Sequence, residues 1–90
     1  MNIEIDSTPI KYYSQRDEDS FSQWAAQLGS VTSVDQGILS IDTKRVDDLE
    51  MRELLALLTR YGLSVDQLRA YAESAGMDWV GNKSAYWNKP

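Results

Sequence analysis

Apolar residues recur at helical spacing in three stretches and alternate with polar ones in three shorter runs, and this pattern fixes the expected architecture. Phe21, Trp24, Ala25 and Leu28 fall at i, i+3, i+4 and i+7, one apolar stripe about one helix face wide. Met51, Leu54, Leu55, Leu58 and Tyr61 form a second stripe, widened by Leu57; Val65, Leu68, Tyr71, Ala72 and Ala75 form a third. Alternation marks Ile3-Glu4-Ile5, Ile10-Lys11-Tyr12 and the segment 31–42.

Start and stop residues punctuate the helices. Ser14 is placed to cap the first, with Asp17, Glu18 and Asp19 near its exposed amides and Gly29 closing it. Asp47 with Glu50 makes a capping box for the second, with Val46 and Met51 as its staple, and Gly62 suits a left-handed stop after Tyr61. Ser64 with Gln67 repeats the box for the third, with Leu63 and Leu68 as staple and Gly76 at the stop. Asn82 is placed to cap a short last helix through Trp87.

In 31–42 a two-residue turn at Gln36-Gly37 would pair Val34 with Leu39 and Thr32 with Ile41, all on one face. Pro9 cannot donate to a ladder, so the two N-terminal runs are not read as one strand. The strand is placed at 10–13, with residues 1–9 as a flexible or edge segment. The expectation is a single α+β domain over residues 1–90, in the order β-α-β-β-α-α. A β-hairpin packs against two or three helices, and an aromatic-rich tail over 77–90 either docks on them or presents itself to a partner.

Composition narrows the functions open to such a fold. With 42% hydrophobic residues the chain can close a core. No apolar run approaches the ~18 residues of a membrane span. The acidic N-terminus is unlike an export signal, and cysteine is absent, so a cytoplasmic protein that does not enter membranes is expected. Histidine is absent too, which removes Ser-His-Asp and Cys-His nucleophile systems and histidine-containing metal sites. Neither a GxxxxGK[ST] nor a GxGxxG loop occurs. Asp47-Asp48 is the best carboxylate pair, but neighbours on a helix point about 100° apart and converge poorly on one substrate. No catalytic residue, metal ligand or cofactor is expected. Asp17-Glu18-Asp19 reads more plainly as helix-start charge than as a metal site.

Charge is uneven, with ten acids against four bases in residues 1–50 and four against five in 51–90. An acidic surface attracts basic proteins and repels phosphate backbones. Residues 63–77 resemble the first helix and turn of bacterial helix-turn-helix domains, with Ala72 and Gly76 at the small-residue positions. The resemblance implies a recognition helix over 78–87. That segment holds Gly81 and the one base Lys83, with Asn82 and Ala85 where aliphatics belong. A nucleic-acid-binding regulator or antitoxin is therefore the second reading. In composition the chain is similar to bacterial immunity proteins and nuclease inhibitors, which implies a module that binds a basic protein. The expected contacts are Tyr12, Tyr13, Asp17, Glu18 and Asp19, together with Tyr86 and Trp87. Self-association through a sheet edge or the tail is a third reading.

Overall fold

The computed structural model describes residues 2–88; Met1, Lys89 and Pro90, the outer ends of the N-terminal segment and of the tail, lie outside them. Three strands, β1 (Asn2–Asp6), β2 (Val31–Asp35) and β3 (Ile38–Asp42), form one antiparallel sheet in the order β1-β3-β2. Three helices, α1 (Gln15–Gln27), α2 (Asp48–Arg60) and α3 (Asp66–Ser74), complete the expected α+β order. On the central strand, Leu39 and Ile41 pair with Ile5 and Ile3. All four are buried and share a face, because side chains two apart on a strand point the same way. They join Met51, Leu54, Leu55, Leu57 and Leu58 of α2 and Leu68 and Ala72 of α3 in one cluster, closed by Phe21 and Ala25 of α1.

The first strand is not where the alternation of residues 10–13 placed it. Ile3-Glu4-Ile5 supplies two isoleucines in register with the buried face of β3, and the ladder forms there. The chain then turns at Ser7-Thr8-Pro9. The Asp6 carboxylate accepts from the Thr8 amide at 2.9 Å and the Thr8 hydroxyl at 2.6 Å, while the Ser7 amide and hydroxyl both donate to the Gly37 carbonyl at 2.7 Å. Ile10 is buried, but residues 10–13 belong to no strand.

The hairpin turns at Gln36-Gly37 with φ of 52° and 80°. Left-handed values at both positions are what a two-residue turn needs to match strand twist. Val34 pairs with Leu39 as expected, but Thr32 does not pair with Ile41. An irregularity between Val31 and Ser33 puts Val31 opposite Ile41. Such a bulge bends an edge strand away from further pairing.

The helix ends show how local signals and packing divide the work. Ser14 accepts the Asp17 amide at 3.2 Å and Asp47 accepts the Glu50 amide at 2.8 Å. After α2, Gly62 takes φ of 74°, with Leu63 N–H donating to Leu58 and Gly62 N–H to Thr59. After α3 the same pair of bonds runs from Met77 to Ala72 and from Gly76 to Glu73. Both are Schellman closures, which satisfy carbonyls left open at a helix end. Gly29 does not play this part: Leu28 ends α1 in an extended conformation. The reach-back halves of both capping boxes are diverted to tertiary contacts. Glu50 accepts the Ser30 amide at 2.6 Å, and Gln67 donates to the Glu4 carbonyl at 2.9 Å. Val65, without a side-chain cap bond, occupies the α3 N-cap position; the Ser64 hydroxyl accepts the Asp66 amide instead.

The glycines at left-handed positions differ in what surrounds them, which gives a graded test. A Cβ on Gly62 meets nothing within 4 Å, so Gly62→Ala should cost only the backbone penalty of about 1–2 kcal/mol. A Cβ on Gly37 would lie 2.6 Å from Thr8 Cγ2. Gly37→Ala should therefore destabilise more in urea unfolding, and Thr8→Ser, which removes that methyl and keeps the hydroxyl, should recover part of the loss. Strict additivity of the two changes would contradict the assigned contact.

Candidate functional site

The start of α1 carries five of the seven residues expected at a partner surface, and it uses them unequally. Tyr12 turns inward, with its ring 6.2 Å from Phe21 and 6.4 Å from Tyr61. Tyr61 meets Phe21 edge-on at 5.0 Å and Trp24 at 6.5 Å, so four rings close the core at this end. Tyr13, the next residue, is 86% exposed. Asp17 accepts the Tyr13 amide at 3.3 Å, and Asp19 accepts from the Gln15 side chain at 3.1 Å. Glu18 is exposed. None of the three carboxylates is in an ion pair among the described residues. Burial pushes the Tyr12 hydroxyl above its ordinary value, helped by the charges of Glu18, Tyr61 and Asp17.

The tail aromatics are mostly engaged by the chain itself. Residues 78–87 do not form the long helix that a recognition element requires; the backbone makes short 3-10 turns at Asp78–Gly81 and Tyr86–Asn88. Trp79 and Trp87 are half-buried against the core and meet edge-on at 5.9 Å. The Trp79 indole donates to Asp48 at 3.3 Å, and the Arg52 guanidinium lies 4.4 Å from its ring centroid. Trp87 donates to the Val80 carbonyl at 2.7 Å, which also accepts from Asn88 at 2.8 Å. Asn82 caps no helix through Trp87; it accepts the Ser84 amide in a local turn. Tyr86 packs edge-on against Trp87 at 4.9 Å and stays 51% exposed.

The two groups are not brought together. Trp79 is tied to Asp48 at the first turn of α2, whereas Tyr12 packs on Tyr61 just past its last turn. Thirteen residues of helix separate these ends by roughly 20 Å. The Asp47-Asp48 pair is also spoken for, since Asp47 caps α2 and Asp48 receives the Trp79 indole. Among the described residues no group of three or more His, Cys, Asp or Glu is arranged to hold a metal ion, and no helix is long and apolar enough to cross a membrane.

Beside Tyr13 lies an open groove of about 710 Å³, lined by Lys11, Arg16, Asp17 and Arg60 with Tyr61 and Gly62. Sequence reasoning missed it. Arg60 belongs to another helix, and nothing in the spacing of the charges links it to Arg16.

Two pH effects follow from the shifted groups. The Tyr12 hydroxyl is raised from 10.0, so its contribution to stability is complete below that value and is lost as pH rises through the folded one. Tyr12→Phe should flatten the alkaline limb of a stability–pH profile. The Thr8 hydroxyl and amide hold Asp6 below 3.8, so its contribution is present above that value and is lost as pH falls through the folded one. Asp6→Asn should soften the acid limb. Unchanged limbs in the two variants would remove these assignments. In comparisons with known proteins, no family model, curated protein or solved structure matches the chain.

Proposed function

We propose that the chain is a non-enzymatic cytoplasmic module that binds a basic protein, as an immunity-type inhibitor or adaptor does. The observation that carries this reading is Tyr13, a large aromatic left 86% exposed beside Asp17, Glu18 and Asp19. Exposed tyrosine supplies contact area at low conformational cost and is enriched at interface centres. Carboxylates without ion-pair partners steer a cationic surface toward it. The net charge of −5 acts in the same direction at longer range.

Within this reading the residues take distinct roles. Tyr13 is the anchor and Glu18 and Asp19 the steering charges. Asp17 both holds the Tyr13 backbone and adds charge, while Tyr12 supports the surface from beneath. Tyr86 is a second exposed aromatic at the far end of α2, and Trp87 serves to hold it. The nucleic-acid reading has less support, because the two 3-10 turns in residues 78–88 offer no helix to place in a major groove.

The test is association kinetics with a basic protein encoded by a neighbouring gene. The rate should fall steeply with salt. Asp17→Asn combined with Glu18→Lys and Asp19→Lys should slow association by about tenfold or more. Tyr13→Ala should instead speed dissociation. Binding whose rate ignores both salt and the charge changes would refute this surface.

A further inference from the structure

We propose that the groove between the start of α1 and the end of α2 is a site for a small multivalent oxyanion, an oligophosphate or a polycarboxylate. The chain is acidic overall, yet here Lys11, Arg16 and Arg60 line one open space with Asp17 as the sole acid among the described residues. The Asp17 carboxylate is turned to the Tyr13 amide and makes no ion pair with any of the three, among the described residues. Elsewhere the chain engages its surface arginines more closely: Arg45 pairs with Asp42 at 3.7 Å, Arg69 pairs with Asp66, and Arg52 lies 4.4 Å over Trp79. In the groove Arg60 lies 5.8 Å from the Tyr61 ring centroid, and neither it nor Arg16 is in an ion pair among the described residues.

Helix electrostatics accounts for only one of the three cations. Arg60 sits in the last turn of α2, where positive charge complements the macrodipole. Arg16 sits in the first turn of α1, where the same rule disfavours it. Lys11 belongs to no helix. The three cations line one open groove, and an anion of more than one charge is the ligand that suits them jointly. Guanidinium forks match phosphate and carboxylate oxygens alike, and a lysine adds a mobile point charge. Ser14, Ser20, Tyr13 and Tyr61 also line the groove and bring hydroxyl-bearing side chains to it. A volume of about 710 Å³ admits a small organic anion.

This inference does not rest on the partner reading. It concerns positive charge in the groove, and its test needs no protein partner. Amide NMR titrations with sodium pyrophosphate and with citrate, at ionic strength held constant with chloride, should give saturable shifts confined to residues 11–20 and 60–62. A Kd below about 1 mM is expected for at least one of them. Saturation by pyrophosphate alone assigns phosphate chemistry, by citrate alone carboxylate chemistry, and by both a general oxyanion site. Arg16→Gln with Arg60→Gln should weaken binding by about tenfold or more while the remaining amide spectrum is preserved. Lys11→Gln, outside any helix, gives an independent loss should the double variant not fold. Shifts that never saturate, that appear equally at Arg45 and Arg69, or that persist with equal affinity in a folded variant would overturn the proposal.

Discussion

The inner face of α2 is the constraint on which the structure depends. Met51, Leu54, Leu55, Leu57 and Leu58 are each fully buried. A leucine taken from water contributes about 1.5–3 kcal/mol. A thirteen-residue helix is marginal alone in water, so packing rather than propensity holds α2 in place. Its ends then set the surroundings. Past the C-terminal end, the Gly62 closure leaves Tyr61 among Tyr12, Phe21 and Trp24. At the N-terminal end, Asp48 and Arg52 receive Trp79 and hold the tail. The exposed surfaces are therefore set by opposite ends of one buried rod, which is why the tail aromatics and the acidic ridge do not converge.

Much of the fold is legible in the sequence because the signals are local. The caps at Ser14 and Asp47, the stops at Gly62 and Gly76, and the turn at Gln36-Gly37 lie within five residues of the groups they satisfy. What is not legible depends on partners far along the chain. Ile3-Glu4-Ile5 and Ile10-Lys11-Tyr12 carry similar alternation, and register with β3 selects the first. Glu50 and Gln67 look alike as capping-box residues, yet both bond to segments that periodicity does not connect to them. The bulge that moves Thr32 out of register is likewise invisible to strict alternation.

The candidate surface follows the same division. Clustered acids at a helix start are visible in sequence, but which of two adjacent tyrosines faces solvent is not. That choice is made by the rings of Phe21 and Tyr61, which accept Tyr12 and leave Tyr13 outside. The basic groove is less visible still, because Arg60 reaches it only through the packing of α2 beside α1. A surface of acids and a groove of bases thus adjoin, each built from residues whose local roles in helix ends or loops say little about what they face.

Native-state hydrogen exchange tests the central claim most directly, because it resolves which element opens last. If α2 is the rod on which the rest is mounted, the amides of Leu54, Leu55, Leu57 and Leu58 should exchange only through global unfolding, with a shared free energy equal to the unfolding value. The tail amides, including Trp87 and Asn88, should exchange through a smaller local opening that leaves α2 protected. Exchange of the α2 amides through an opening easier than that of the tail would contradict the account.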